Sequence, residues 1–407
     1  LTSDTPNPPD VASNPPEYTG IVKQIDDIAK EVTVRIDSID NGNGSGPIIA
    51  KNGNTYYVAT AAHVVKHQDS YTVVTPDGEE YPVNDNTITI FEGVDIAVLE
   101  FESNKSYQVA KLGKYNSGVE IINDLRKVGH GWIFVSGFPG YTRTETTPPQ
   151  RYLSTGKIWS QESASFAQKD QYSAYDGQDL TYTAQSYRGM SGGPVFDSQG
   201  RVIGINTASE AEYLGGKDVG MGQSLGIPMG TLVGLASRAN IQSSWLQIET
   251  DKPSDLTAEN VETIRNQLFN LKKPNKDANA YEWLNYCNQL WRAFEYTEAV
   301  NACGQALQKQ PDLAQAYYMM GLSFIYDSKY TKALTAFENA TQIDDRFHQA
   351  WRWQGFSLFA LQRYPEAITA YEKAVKLAPD EFTYYMGLGY ALQAEKLYPE
   401  AIKAYTQ

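Results

Sequence analysis

The sequence beyond about residue 280 repeats itself every 34 residues, and this period restricts the fold more than any other feature. Small residues recur at fixed offsets, with large apolar or aromatic residues between them. Such a period predicts helical hairpins stacked in a row, with small residues where two helices approach and large residues where neighbouring hairpins meet. The recurring small residues are Ala299, Ala333, Ala367 and Ala401; Ala306, Ala340 and Ala374; and Gly321, Gly355 and Gly389.

In period and composition this region resembles the tetratricopeptide repeat (TPR), an all-α solenoid that mediates protein–protein interaction. About three and a half units cover residues 280–407, and they start near residues 280, 314, 348 and 382. Because the chain stops within the second helix of the fourth unit, we expect the natural protein to continue beyond Gln407.

The only two cysteines lie in the first unit, where Cys287 replaces the recurring glycine and Cys303 replaces an aromatic residue. The two positions belong to the two helices of one hairpin. The sequence therefore allows a disulfide bond under oxidising conditions, and it equally allows two buried thiols.

If the units stack as they do in the tetratricopeptide family, the first helix of each unit turns one side toward a concave groove. The positions expected there are more apolar than the basic clamp with which some such repeats hold C-terminal carboxylates. The expected occupants are an apolar peptide, a protein partner or the domain that precedes the repeats. The groove positions are Asn288, Arg292, Tyr318, Arg352, Phe356, Phe359 and Tyr390.

Residues 21–240 carry a different pattern, in which short apolar or alternating segments are separated by glycine, asparagine and aspartate. Many short strands at this spacing, from about Ile21 to Leu235, predict an all-β barrel or sandwich. A chain of 407 residues suits two domains, each large enough to bury its own core. We assign residues 241–279 to a linker with one helix and residues 1–20 to a proline-rich stem.

The stem and the charge limit where the protein acts and on what. The stem is typical of what remains after removal of a signal segment, which would make the protein periplasmic or secreted; a trimmed recombinant chain would look the same. The formal net charge of −14 argues against a nucleic-acid binder, which needs a basic face. No run of 18 or more apolar residues occurs, so no membrane span is predicted.

A serine, Ser191, stands in the glycine-rich string YRGMSGGPVF and is a candidate nucleophile. Catalysis by serine needs a base to take the hydroxyl proton, a group that orients the base and donors for the oxyanion. His63 in VATAAHVV is the candidate base. Asp95 in GVDIAVLEF enters an otherwise apolar strand and therefore needs a partner.

These strings stand in the order, and roughly at the intervals, of the chymotrypsin-like serine protease superfamily, which residues 21–235 resemble. The flanking strings GSGPII, VSGFPG and GRVIGINTAS are most similar to two bacterial branches, the HtrA-like proteases and the glutamyl endopeptidases. The resemblance implies a trypsin-like domain of two six-stranded β-barrels with the site in the cleft between them. It also implies peptide-bond hydrolysis through an acyl-enzyme, without a cofactor.

Carried over residue by residue, the resemblance makes Ser191 the nucleophile, His63 the general base and Asp95 the residue that orients His63. The backbone N–H groups of Gly189 and Ser191 would form the oxyanion hole. Met190 replaces the aspartate with which animal digestive relatives pair a newly cut N-terminus, so we expect no activation by that ion pair.

Gln185 falls at the base of the specificity pocket, where a neutral amide gives no reason to expect a preference for lysine or arginine. Asn206 stands where glutamyl endopeptidases have a histidine, so a glutamate preference is not expected either. The pocket is expected to contain Gln185, Asn206, Thr207 and Ala208.

His63 and His67 lie four residues apart, as metal-binding pairs on helices do, but neither a glutamate base nor a third ligand accompanies them. We predict no metal site.

Two functions remain open: a serine endopeptidase whose repeats recruit substrate or a partner or restrain the protease, and a catalytically silent protease-fold scaffold whose repeats bind proteins. The presence of all three triad residues favours the first.

Overall fold

The computed structural model describes residues 17–39, 42–67, 69–114, 131–140, 149–158, 180–214, 217–269, 271–379 and 381–406, and at 208–214, 217–223 and 382 it describes the backbone alone. Contacts divide the chain into two compact units, Leu1–Phe269 and Asn270–Gln407. The first unit is built on two β-sheets and the second on helices. Most of the expected stem lies outside the described residues.

The first sheet is antiparallel and contains seven strands among the described residues. Side chains that point to one face of these strands, including Val34, Ile48, Val58, Val73 and Leu99, form a single buried core. The strands are β1 (Thr33–Ser38), β2 (Gly42–Asn52), β3 (Thr55–Thr60), β4 (Tyr71–Val74), β5 (Glu80–Pro82), β6 (Thr89–Ile90) and β7 (Ala97–Glu102), in the order β5-β4-β1-β2-β3-β7-β6.

The second sheet has eight described strands and its own core, which includes Ile133, Val135, Tyr182, Met190 and Val195. The main path is antiparallel in the order β10-β9-β12-β13-β14-β11, and β8 pairs in parallel with β13 and β15. The expected all-β domain is confirmed as two curled, largely antiparallel sheets. The strands are β8 (Lys111–Gly113), β9 (Trp132–Gly137), β10 (Tyr152–Lys157), β11 (Leu180–Tyr182), β12 (Pro194–Asp197), β13 (Val202–Leu214), β14 (Lys217–Pro228) and β15 (Gln247–Glu249).

A helix, α1 (Gly20–Val32), precedes the first strand, so the prediction of strands from Ile21 onward was wrong for these residues. The apolar positions follow the 3.6-residue period of a helix rather than the alternation of a strand. Asp26 on this helix forms a buried ion pair with Arg151 next to β10. The buried apolar residues of the helix are Ile21, Val22, Ile25, Ala29 and Val32.

The described residues of the first unit form three further α-helices: α2 (Ala62–Val65), α3 (Met229–Leu235) and α4 (Ala258–Leu268). Helix α4 lies in the stretch assigned to a linker, and the Thr257 hydroxyl caps it by accepting a hydrogen bond from the Asn260 N–H at 3.2 Å. Gln267 near its end bonds the backbone N–H of Thr19 at 2.9 Å and the Thr19 hydroxyl at 2.7 Å. This helix therefore packs against the start of α1 and is part of the first compact unit.

The second unit contains eight helices in its described residues, arranged as four hairpins, which confirms the predicted tetratricopeptide architecture. The first helix begins with a capping box, in which the Asn279 side chain and Glu282 bond each other's backbone N–H groups. The helices are α5 (Ala280–Arg292), α6 (Tyr296–Lys309), α7 (Ala314–Tyr326), α8 (Tyr330–Ile343), α9 (His348–Ala360), α10 (Tyr364–Leu377), α11 (Phe382–Ala394) and α12 (Tyr398–Tyr405).

In the second, third and fourth hairpins a glycine of the first helix lies against an aromatic ring of the second helix. A Cβ atom on Gly321, for example, would come within 2.5 Å of the Phe337 ring. In the first hairpin the corresponding residues are Cys287 and Cys303, which form a disulfide bond with their Cα atoms 5.3 Å apart. Of the two states that the sequence left open, the structure contains the disulfide.

Each hairpin also turns between its helices through a residue in the left-handed conformation. These residues are not glycines, although a Cβ in this region costs roughly 1–2 kcal/mol. They are Phe294, Ser328, Gln362 and Lys396, with φ between 54° and 67°.

Candidate active site

His63 and Asp95 are brought together by the pairing of β3 with β7. Thr60 at the end of β3 pairs with Ala97 at the start of β7, so the segments beyond these two residues leave the sheet side by side. Asp95 accepts two hydrogen bonds from His63, one from its backbone N–H at 2.9 Å and one from ring Nδ1 at 2.8 Å. Because an ionised carboxylate only accepts, the second bond places a proton on Nδ1 and leaves Nε2 as the ring nitrogen for a reactant.

Ser191 lies in the turn before β12, and this turn packs against the end of β3. Gly192 has a φ of +84°, and a Cβ there would come within 2.0 Å of the Thr60 hydroxyl oxygen. The backbone N–H of Ser45 also donates to the Ser191 carbonyl at 2.8 Å. Ser191 is thereby fixed next to the segment that leads into His63.

The Ser191 hydroxyl donates to the Thr207 carbonyl oxygen at 3.3 Å, which is long for such a bond. Among the described residues it makes no hydrogen bond to His63. In structures without a bound substrate, the hydrogen bond between a nucleophile and its general base is often long, and it tightens only when the reactant binds.

The backbone N–H groups of Gly189 and Ser191 have no acceptor among the described residues, but the peptides that carry them are held firmly. The Arg188 carbonyl, on the peptide that carries the Gly189 N–H, accepts from the Gly140 N–H at 2.7 Å. The Met190 carbonyl, on the peptide that carries the Ser191 N–H, accepts from the Gly193 N–H and from Asn206 Nδ2, both at 3.0 Å. Among the described residues, the N–H groups of Gly189 and Ser191 are therefore two free hydrogen-bond donors on a turn whose neighbouring carbonyls are hydrogen-bonded.

Gly189 itself must be glycine for two reasons. Its φ of +91° is one that L side chains rarely adopt, and a Cβ would come within 2.5 Å of the Phe138 carbonyl oxygen. The glycine thus lets the backbone approach Phe138 closely.

Sequence reasoning missed Ser45 as a residue of this site. Its hydroxyl is fully buried, donates to the Gly189 carbonyl at 2.9 Å and accepts from the Phe138 N–H at 2.9 Å. Ser45 thus connects β2 of the first sheet to the Gly189 turn of the second. The available signal was a small polar residue inside the otherwise apolar string GSGPII, since a buried hydroxyl needs partners.

Comparison with known protein families matches both parts of the chain. The family model described as "Trypsin-like peptidase domain" matches residues 44–205, and the model described as "Tetratricopeptide repeat" matches residues 318–381 and 354–407. The chain combines a trypsin-like peptidase domain with tetratricopeptide repeats.

Three curated relatives match between 40% and 51% of this chain. The "Probable periplasmic serine endoprotease DegP-like" of Bartonella henselae is 28% identical over 215 residues, which are 51% of this chain and 36% of the relative. The protein of the same name from Brucella suis biovar 1 is 29% identical over 51% of this chain and 35% of its own length. The human "Serine protease HTRA4" is 30% identical over 40% of this chain and 30% of its own length. The alignments thus span between 30% and 36% of the length of these relatives.

The structure shows the following contacts for three of the four expected pocket residues. Gln185 is partly buried, and its carbonyl accepts a hydrogen bond from the Ser154 hydroxyl at 2.6 Å. Thr207 is 3% exposed and its hydroxyl donates to the Leu225 carbonyl at 3.2 Å. Ala208, described by its backbone alone, continues the same pairing of β13 with β14.

The contacts of Asn206 differ from those expected of a pocket wall. Its side chain is fully buried, and Nδ2 donates to the Ser186 hydroxyl at 2.8 Å and to the Met190 carbonyl at 3.0 Å. Its Oδ1 atom lies 2.6 Å from the hydroxyl of Tyr182, whose pKa is raised well above 10.0 by complete burial. The amide therefore holds the turn that leads to Ser191 and has no hydrogen left for a bound side chain.

The expected groove positions of the repeats fall into two sets. Asn288, Arg292 and Tyr318 are at most 2% exposed, so they pack within the repeats. The others, Arg352, Phe356, Phe359 and Tyr390, are only partly buried. The second set is thus the accessible part of the expected groove.

The described residues contain no group of three or more His, Cys, Asp or Glu side chains that could hold a metal ion. None of the helices in the described ranges is long and apolar enough to cross a bilayer.

Proposed function

We propose that the peptidase domain is a serine endopeptidase in which Ser191 is the nucleophile, His63 the general base and Asp95 the residue that orients His63. The two hydrogen bonds from His63 to Asp95 carry this proposal, because they fix both the ring and its tautomer. A chance surface contact between an aspartate and a histidine would not require hydrogen bonds to both the ring and the backbone N–H of the histidine.

The reaction begins when the Ser191 hydroxyl leaves the Thr207 carbonyl by rotation about χ1 and donates to His63 Nε2. The Ser191 oxygen then forms a bond to the scissile carbonyl carbon as its proton passes to His63. The N–H groups of Gly189 and Ser191 stabilise the negative charge that develops on the carbonyl oxygen. His63 gives its proton to the leaving amine, and water hydrolyses the acyl-enzyme with His63 again as base.

The specificity pocket is proposed to contain Gln185, Thr207 and Ala208. Asn206 is proposed to contribute indirectly, because its backbone and its amide bond the turn that carries Ser191. None of these side chains carries a charge. We therefore expect an uncharged side chain in the substrate to be preferred over lysine, arginine or glutamate.

The repeats are proposed to recruit a protein substrate or partner, or to restrain the peptidase until a partner binds. The tetratricopeptide architecture and the partly exposed aromatic residues Phe356, Phe359 and Tyr390 support a protein ligand. An extracytoplasmic location is proposed because two relatives are named as probable periplasmic proteases and because the Cys287–Cys303 disulfide is of a kind that persists in oxidising compartments.

The test is cleavage of a proteome-derived peptide library, read by mass spectrometry, with the Ser191→Ala protein in parallel. Cuts made only by the unmutated protein, and lost in His63→Ala, are expected, and their flanking residues report the pocket. Identical cleavage patterns in the unmutated and Ser191→Ala proteins would refute the enzyme and favour the silent scaffold.

The role of the repeats is tested by ending the chain after Phe269, which keeps α4 with the unit it packs against. Circular dichroism first checks that the shortened chain retains its β structure. A change in cleavage rate on a protein substrate is expected, with a smaller change on a short peptide if the repeats recruit. Equal rates on both substrates, together with unchanged partner binding, would contradict the role.

A further inference from the structure

The Ser191 N–H can stabilise an oxyanion only if its peptide faces the right way. The Met190–Ser191 peptide is planar, so its carbonyl and its N–H point in opposite directions. Whatever holds the Met190 carbonyl therefore also sets the direction of the Ser191 N–H. This carbonyl has two donors, the Gly193 backbone N–H and the Asn206 side chain, both at 3.0 Å.

The orientation of the Asn206 amide is itself determined by its surroundings. The Met190 carbonyl can only accept a hydrogen bond, so the amide atom facing it must be Nδ2. The Tyr182 hydroxyl, 2.6 Å from the opposite atom, then donates to Oδ1. A flipped amide would place two acceptor oxygens against each other in a site from which water is excluded, because Asn206 and Tyr182 are both fully buried.

Backbone bonds tie Asn206 to the same turn. Its carbonyl accepts from the Gly192 N–H at 2.7 Å, and its N–H donates to the Gly193 carbonyl at 2.9 Å. With the two bonds from Nδ2, this residue contacts the turn on both sides of Ser191. The backbone bonds need no particular side chain, but a side chain that merely filled the core would need neither of the two bonds from Nδ2.

We propose that Asn206 is a positioning residue for the oxyanion hole: its amide holds the Met190 carbonyl and so aims the Ser191 N–H at the substrate oxygen. This role rests on the proposed endopeptidase function. Asn206 touches neither the substrate nor the reacting atoms. Its substitution should therefore weaken stabilisation of the transition state and leave ground-state binding nearly unchanged.

Two variants test the proposal. Asn206→Asp keeps the size of the side chain and an acceptor for Tyr182, but an ionised carboxylate cannot donate to the Met190 carbonyl. Asn206→Ala removes the side chain. Loss of a whole oxyanion donor costs about 10²–10³ in kcat, and because Gly193 still holds the carbonyl we expect a decrease of about tenfold. KM should stay within about threefold, since the interaction acts in the transition state.

The second readout is the affinity of a peptidyl trifluoromethyl ketone built on a sequence that the enzyme cuts. Attack by Ser191 converts the ketone into a hemiketal whose oxygen needs the oxyanion hole. Its inhibition constant should rise by the same factor as kcat/KM falls. The matched control is Thr155→Val, which removes a buried hydroxyl that donates to the Ile133 carbonyl at 2.8 Å in the same sheet.

Thr155→Val should cost stability, measured by thermal unfolding, without changing kcat or the inhibition constant. Either Asn206 variant is sufficient to test the positioning role, provided that it folds. Unchanged kcat, or a lower kcat with full affinity for the ketone, would overturn the positioning role. Absence of Ser191-dependent cleavage in the unmutated protein would instead refute the proposed function on which it rests.

Discussion

Removal of the Cys287–Cys303 disulfide should destabilise the first hairpin of the repeats by an amount that the structure allows to be calculated. The bond closes a loop with a sequence separation of 16 residues. In the chain-entropy account, releasing a loop of this size from the unfolded state costs about 3 kcal/mol. Each repeat contacts only its neighbours, so the loss should be concentrated in α5 and α6.

The perturbation is the double substitution Cys287→Ala and Cys303→Ala, with reduction of the unmutated protein by dithiothreitol as a second route to the same state. Urea unfolding of the full chain, followed by helical circular dichroism, should show a loss of about 3 kcal/mol in both cases. The double variant should not respond to dithiothreitol.

A replacement variant separates the covalent bond from the packing. Cys287→Gly with Cys303→Phe recreates the glycine–aromatic pair of the second hairpin, where the Phe337 ring lies against Gly321. Burial of the new ring should restore about 1.5–3 kcal/mol. The reasoning would be refuted if dithiothreitol left the unfolding of the unmutated protein unchanged, or if the non-reduced, denatured chain contained two free thiols.

Three further changes have defined outcomes. Gln362→Gly should raise the free energy of unfolding by up to about 1 kcal/mol in urea, because the left-handed turn then carries no Cβ; an equal loss would contradict this. Burial lowers the pKa of His348 below 6.5, so the unfolded chain binds more protons, and stability should fall as the pH drops below 6.5. His348→Gln should lose this pH dependence in unfolding at pH 7.5 and 5.5. Ser45→Ala should lower kcat more than it raises KM, since the Gly189 carbonyl loses its donor.

The period of 34 residues is enough to predict the repeats, because hairpin packing is a local pattern repeated along the chain. The contact of Gly321 with the Phe337 ring was not part of that prediction, which placed the large residues between neighbouring hairpins; the structure places this ring against the glycine of its own hairpin. The same local reasoning failed for α1, whose apolar positions were assigned to a strand region. Helical and strand periods are hard to separate where apolar residues are adjacent, as in Ile21 and Val22.

The two architectures follow from the amino-acid sequence alone, and the candidates His63, Asp95 and Ser191 follow from its resemblance to a known family. Which atoms meet is a property of the folded chain: Asp95 bonds both the ring and the backbone of His63, and the Asn206 amide donates to the Met190 carbonyl. These contacts join residues that are 16 to 32 positions apart. They depend on strand register and on the burial of polar atoms, and neither is a property of any short stretch of sequence.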